Sequence, residues 1–295
     1  MKYVLAGSSG FLGKALARDL VAHGHQVTRL VRREPSQPSE VRWDPARGQV
    51  DLRALDDADV LINLAGANIG RPWTPAYRKL IRESRVSTTA TLAQAAAQLD
   101  RKPVFITQSG IGGYGMDCGD EILTEESELG DGFLADVVRV WEGAADPARE
   151  AGCRVIALRT GVVLGRSAPA FQLLSLPFRL GVGGRLGSGK QYFPVLSLTD
   201  WLRAVRHCAE TDQLSGPVNV TLPNPVTNEA FTKALGKELH RPTLLPIPSF
   251  VLTTLLGEFA WELIGSKRAL PNALLSTGFT FTHPTAPTAL TSALS

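Results

Sequence analysis

The sequence is poor in cysteine, in long apolar runs and in any surplus of one charge. Its three cysteines, Cys118, Cys153 and Cys208, are odd in number and far apart, which implies neither a disulfide framework nor a paired zinc site. The five histidines show no ligand spacing. His23 and His25 flank Gly24 where a first helix turns into the next strand, and they read as capping residues. His207 and Cys208 are neighbours in a helical pattern and point in different directions, so no thiol nucleophile is implied. No stretch approaches the roughly 18 uninterrupted apolar residues of a membrane span. The amino terminus is broken by Gly7 and Gly10 and reads as a strand rather than a signal peptide. A net charge of +3 with dispersed Lys and Arg carries no footprint for nucleic acid. These absences lead us to expect a cytoplasmic protein that engages neither nucleic acid nor membrane, and they leave its oligomeric state open.

What is present begins at the amino terminus. With 295 residues and 44% hydrophobic composition the chain can bury one large core, or one domain with a smaller partner. Tyr3 to Ala6 form a short apolar run that stops at Gly7-Ser8-Ser9-Gly10-Phe11-Leu12-Gly13, after which Leu12, Leu16, Leu20 and Val21 recur at helical spacing. A second strand is predicted from His25 to Val31. Glycines between a strand and a helix let a phosphate approach unpaired backbone N–H groups at the positive end of the helix dipole, which is the chemistry of a pyrophosphate seat. The strand, turn, helix and strand context is the one the dinucleotide fingerprint requires. At the tip of the second strand stand Arg32 and Arg33, with no acid. A carboxylate there would accept a ribose hydroxyl, whereas a guanidinium suits a 2′-phosphate. The cofactor expected is therefore NADP(H), with Arg32 the leading contact and Arg33 the next.

Further along, Glu34 to Gln49 reads as a loop with a short extended piece at Val41 to Trp43. Strands are predicted at Asp59 to Leu64, Pro103 to Thr107, Arg154 to Leu158 and Pro217 to Thr221. Helices are predicted at Trp73 to Gln98, Phe133 to Ala148, Phe171 to Leu180, from Thr199-Asp200 onward, at Asn228 to Leu239 and at Ser249 to Ile264. The last of these is poor in Lys and Arg and is expected to pack on the body of the protein. Strand and helix alternate without hairpin signals, which predicts an α/β protein with a Rossmann-type, doubly wound parallel sheet. Ligands of such sheets lie at strand carboxyl ends, so Leu64-Ala65-Gly66 should flank the cofactor. The glycine-rich ribbon Gly181 to Tyr192 lacks phosphate-loop spacing and reads as a hairpin or lid. We divide the chain into a nucleotide-binding domain, residues 1–222, in which 166–198 contribute the lid, and a helical cap, residues 223–295, whose tail after His283 is expected to fray.

Together these strings resemble the extended short-chain dehydrogenase/reductase superfamily, in its atypical epimerase-like branch with an extra C-terminal helical domain. The resemblance rests on Gly7-x-x-Gly10-Phe11-Leu12-Gly13, on Asn63 to Ile69, and on Trp73-Thr74 with Ser84-Arg85. It continues in Phe133-Leu134-Ala135 with Trp141-Glu142, in Leu158 to Gly165, and in Pro177 to Leu180 with Gly187 to Gln191. It implies backbone contacts to the pyrophosphate at Ser8, Ser9, Phe11 and Leu12, and Arg32 at the 2′-phosphate. It further implies Leu64 and Ala65 along adenosine and ribose, Arg85 near the phosphates, and Gly161 and Val162 beside the nicotinamide.

In that superfamily a tyrosine, assisted by a lysine four residues on, moves the hydroxyl proton, and an upstream serine bonds the substrate oxygen. Ser109 matches the serine. Phe133 and Val137 stand at the tyrosine and lysine positions, and no Tyr-x-x-x-Lys occurs in the chain. Tyr114, in the loop Gln108 to Gly115 from which the Ser109 and Tyr114 hydroxyls should project, is the alternative acid, although an unassisted phenol with a pKa of about 10 is a poor base near neutrality. Two functions follow. One is an NADP(H)-dependent oxidoreductase or epimerase-like enzyme acting on an unidentified small polar molecule. The other is a non-catalytic NADP(H)-binding sensor.

Overall fold

The structure, a computed structural model, describes residues 1–295. Its first half holds the strands β1 (Lys2–Ala6), β2 (Gln26–Val31), β3 (Glu40–Asp44), β4 (Gln49–Val50), β5 (Val60–Asn63), β6 (Val104–Gly110) and β7 (Ile122–Leu123), with the helices α1 (Phe11–Ala22), α2 (Pro75–Gln98) and α3 (Phe133–Gly143). The second half holds α4 (Asp146–Glu150), β8 (Val155–Thr160), β9 (Val162–Leu164), α5 (Pro169–Arg179), β10 (Val195–Ser197), α6 (Leu198–Glu210), β11 (Gly216–Val220) and α7 (Asn228–Glu238). It closes with α8 (Ser249–Leu256), α9 (Trp261–Ile264), β12 (Arg268–Ala269), α10 (Asn272–Ser276) and α11 (Ala286–Leu294).

Eight strands form one sheet in the order β11-β8-β6-β5-β1-β2-β3-β4, parallel throughout except for β4 against β3. The chain leaves β1 toward β2 and β3 on one side, then returns to β5 and proceeds through β6, β8 and β11 on the other. The carboxyl ends of β1 and β5 therefore form the topological switch point, where open α/β sheets bind ligands. Alternate strand residues feed two apolar layers. Tyr3, Leu5, Ile62, Ile106 and Ile156 face α1 and α6, and Val4, Ala6, Leu61, Phe105 and Val155 face α2 and α4. No helix is long and apolar enough to cross a membrane.

The helix expected over Phe133 to Ala148 is two. Pro147 lies at the start of α4, where it has no N–H to donate and its ring would clash with the carbonyl four residues back. The expected helix over Ser249 to Ile264 breaks at Gly257, whose φ is +59°; Leu252 is buried there, while Phe250 and Leu255 stay largely exposed. Helix α6 is capped by Ser197, whose hydroxyl accepts from the Asp200 amide at 3.1 Å, rather than by Thr199 or Asp200. The tail does not fray: Ala286, Ala289, Leu290 and Ala293 of α11 lie in the same apolar cluster as Leu5 and Trp201. The ribbon Gly181 to Tyr192 forms no hairpin. It is tied to the C-terminal segment by Gly187 N–H to the Ile247 carbonyl at 2.8 Å and by Ile247 N–H to the Arg185 carbonyl at 2.9 Å.

Candidate functional site

The glycine turn is folded against the exit of β5. Gly7 has φ +81°, and a Cβ there would lie 2.6 Å from the Leu64 carbonyl carbon; a Cβ on Gly13 would lie 2.2 Å from the Gly7 carbonyl oxygen. Both positions need glycine because backbone meets backbone. Gly10 is looser, with a Cβ only reaching 3.5 Å from the same oxygen. Helix α1 then starts at Phe11 with no side-chain cap and no acid in its first turn. Its leading amides and the positive end of its dipole are left for an anion. Ser8 is half-buried and Ser9 exposed beside them. Leu12 packs into the core, and the Phe11 ring reaches Gly165, where a Cβ would be 3.0 Å from Phe11 Cζ.

The two arginines at the end of β2 separate. Arg33 forms a two-point pair with Glu40, Nη1 to Oε2 at 2.9 Å and Nη2 to Oε1 at 2.7 Å. That carboxyl is held at about 2 by the Arg33 hydrogen bonds and the Ser36 amide. Arg33 thus ties β3 to the end of β2 through this pair, with 56% of its side chain exposed. Arg32 is exposed and enters no ion pair, leaving its fork of donors free.

At the tip of β5, Asn63 is fully buried. Its amide donates to the hydroxyls of Thr88 at 3.1 Å and Thr89 at 2.8 Å, and its oxygen accepts from the Ala65 amide at 3.1 Å. This fixes the path of Leu64-Ala65-Gly66. Arg85, on α2, lies against Gly66 with its guanidinium 4.9 Å from the Trp141 ring centroid. It donates to the Ile81 carbonyl at 3.0 Å and meets no carboxylate. Burial pulls its pKa down to about 10. A half-buried cation without a counterion, beside a glycine turn with open amides, is what an anionic ligand would complete.

Gly161 and Val162 lie at the end of β8, but their amides are taken: Gly161 donates to the Val220 carbonyl at 3.1 Å and Val162 to the Pro194 carbonyl at 2.8 Å. Glycine at 161 is explained by packing, because a Cβ would lie 2.5 Å from the Pro194 oxygen. Neither residue therefore has an amide free to bond a ligand.

Ser109 and Tyr114 do not project from a flexible loop. Ser109 is in β6 and Tyr114 in a 3-10 turn over Ile111–Tyr114, and they are 3% and 4% exposed. The structure brings them together within one buried polar network. Ser109 Oγ donates to Glu142 Oε1 at 2.7 Å. Glu142 also takes two bonds from Arg159, from Nε and Nη2, both at 2.9 Å. Arg159 Nη1 donates to the Tyr114 phenol at 3.1 Å, and that phenol faces the Thr124 carbonyl and Asn219 Oδ1, each at 2.8 Å. Burial pushes the Tyr114 phenol up against the opposing charge of Arg159. Burial lowers Arg159, but the bonds and charge of Glu142 outweigh it and hold the guanidinium above its ordinary value. With every hydroxyl in the network bonded internally, we read Ser109 and Tyr114 as positioning residues for the end of β6. Glu142 and Arg159 lie in the strings that carry the resemblance, but their bonds to Ser109 and Tyr114, and that of Asn219, cross 33 to 105 residues and leave no local pattern.

Phe133 begins α3, and Val137, one turn on, is buried. Phe133 stacks edge-on with Trp73 at 5.1 Å, and Trp73 meets Phe259 at 5.7 Å. The Arg78 guanidinium stands 4.8 Å from the Phe133 ring and pairs with Glu258. The N-terminus of α3 is thus roofed, through Trp73 and Arg78, by the segment 258–262, within the stretch Ser249 to Ile264 expected to pack on the body of the protein.

Comparison with known proteins gives the following. The sequence profile of the NAD dependent epimerase/dehydratase family matches residues 3–213, and a domain of unknown function, DUF1731, matches residues 247–293. The epimerase family protein ML0860 of Mycobacterium leprae is 43% identical over 97% of this chain and 93% of its own length. The crystal structure of the human epimerase family protein SDR39U1 with NADPH is 33% identical, with a TM-score of 0.89 over 99% of each chain. MoeE5 in complex with UDP-glucuronic acid and NAD is 20% identical, with a TM-score of 0.77 over 100% of this chain and 98% of that one, and shares the fold.

Proposed function

The chain belongs to the NAD dependent epimerase/dehydratase family, and from that premise we propose that it is an NADP(H)-dependent oxidoreductase or epimerase-like enzyme acting on a small polar molecule. The observation that carries this reading is an uncapped, acid-free helix start behind a glycine turn, combined with an unpaired Arg32 at the tip of the next strand. The NADPH named with the human relative supports the phosphorylated cofactor.

In this reading the amides of Ser8, Ser9, Phe11 and Leu12 hold the pyrophosphate, the Gly10 amide being used within the turn by the Gly7 carbonyl at 3.1 Å, and Arg32 holds the 2′-phosphate. Leu64, Ala65 and Gly66 line the adenosine ribose, and Arg85 supplies charge to the phosphates. Gly161 and Val162 wall the nicotinamide, which when bound gives or accepts a hydride. The Trp73, Phe133 and Phe259 rings cluster at the start of α3, and the Glu142–Arg159 pair, bonded to Ser109, ties α3 to the ends of β6 and β8. The experiment is nucleotide affinity in the parent and in Arg32→Asp. We expect the variant to lose about 10- to 100-fold in NADPH affinity, the worth of one or two charge-assisted bonds, and little in NADH affinity. Unchanged NADPH affinity would remove the argument.

One observation favours a second reading, a non-catalytic NADP(H) sensor: Phe133 and Val137 carry no ionisable group, and Ser109 and Tyr114 are buried. Turnover against a panel of carbonyl and sugar-nucleotide probes separates the two. Tight NADPH binding without turnover, with ligand-dependent proteolysis at Gly181 to Tyr192, would favour the sensor.

A further inference from the structure

The short segment that roofs α3 carries a carboxylate that the reading above leaves without a task. A Cβ placed on Gly112, two residues beyond β6, would lie 3.3 Å from both Glu262 carboxylate oxygens and 3.0 Å from Leu134 Cδ1. Leu134 follows Phe133, the residue standing where a proton-transferring tyrosine is missing. Glu262 pairs with Lys267 Nζ at 3.2 Å and with no other cation. Lys267 is only 3% exposed at its side chain, whereas Glu262 keeps 23%.

The pair is firmly held. Lys267 Nζ also reaches the carbonyls of Met116 at 3.4 Å and Trp261 at 3.5 Å. The Cys118 amide bonds the Ser266 carbonyl at 2.9 Å, and the Ser266 amide bonds Asp117 Oδ1 at 3.0 Å. A Cβ on Gly265 would lie 1.8 Å from the Met116 oxygen, so these two stretches are locked face to face. One side of the Glu262 carboxylate is fastened to a buried ammonium. Both carboxylate oxygens lie beside Gly112, where Leu134 of α3 also reaches.

Resting on the oxidoreductase reading, we propose that Glu262, held by Lys267, is the group that exchanges the substrate's hydroxyl proton, in place of the absent tyrosine and lysine. In the oxidising direction the substrate O–H bond breaks and its proton goes to a Glu262 oxygen. The electron pair of that bond closes the C=O, and the carbon's hydrogen departs with its own pair to the nicotinamide. Reduction is the reverse. A carboxylate fixed beside an ammonium fits this role as a positioned acid–base pair, with geometry supplied before pKa.

The test uses the full chain and the isosteric variant Glu262→Gln, in which Lys267 keeps an acceptor. The first readout needs no substrate: the ratio of NADP+ to NADPH affinity. A carboxylate near the reacting centre favours the cationic oxidised ring over the neutral reduced one, so Glu262→Gln should shift the ratio toward NADPH by about fivefold. The second is NADPH-dependent reduction of a carbonyl panel, expected to fall about 100-fold or more. An unmoved ratio, or turnover equal to the parent's, overturns the proposal. A parent that binds both nucleotides and reduces no probe sinks the oxidoreductase reading and the proton-transfer role with it, while the ratio still reports whether Glu262 stands beside the nicotinamide.

Discussion

Arg85 and Arg159 are both enclosed arginines, and they differ in their counterions. Arg159 has a two-point partner in Glu142; Arg85 has a carbonyl and the face of Trp141. An arginine taken from water without an acid is a liability in the folded chain unless a ligand repays it. We therefore predict that Arg85→Met leaves the melting temperature unchanged or raises it, while weakening NADPH about tenfold, measured by paired melts and titrations. Arg159→Met should behave in the opposite way. It strands a buried carboxylate, at about 3–5 kcal/mol, and the loss should appear in denaturant unfolding before any change in cofactor affinity. Arg85 could be singled out in the sequence, through the Ser84-Arg85 string. The burial of Ser109 and Tyr114 could not, because the groups that consume their hydroxyls are supplied by α3, β8 and β11, and no local pattern reports a contact across the sheet.

At the scale of elements, the turn into α1 carries the binding argument. Gly13→Ala would set a methyl 2.2 Å from the Gly7 carbonyl oxygen, and since both groups are backbone-bound the turn must open. We predict a lower melting temperature together with loss of the NADPH-induced melting shift, whereas Gly10→Ala, with 3.5 Å available, should retain most of the stability. The parallel strands and long helices were legible because apolar runs and helical periodicity are local. Where the sequence misled, a nearby backbone feature prevailed, as with Pro147 dividing α3 from α4 and Gly257 ending α8. Elsewhere tertiary burial prevailed. The tail after His283 is rich in Thr, Pro and Ala, yet Leu290 is fully buried. The lid-like ribbon is held by partners about 60 residues away, which glycine content alone cannot reveal.

Across the whole molecule, residues 223–295 share the main apolar cluster through Phe231, Leu235, Leu274 and Leu290, so the C-terminal part is bound to the sheet rather than appended to it. The β2–β3 edge adds a pH dependence. Glu40 has its pKa lowered from 4.5 to about 2, chiefly by its hydrogen bond from Arg33. A depressed carboxyl contributes stability that is present above its unfolded value and is lost as pH falls through its folded value. Between about pH 5 and about pH 2 the parent should therefore lose more stability than Glu40→Gln does, as read by urea midpoints across that range. The central claim, that the glycine turn and Arg32 together form a seat for a 2′-phosphorylated dinucleotide, is tested most directly by calorimetric titration of the unmodified chain with NADPH and with NADH. The account predicts saturable binding of both, with NADPH about tenfold tighter or more; no binding of either, or equal affinity for the two, would contradict it.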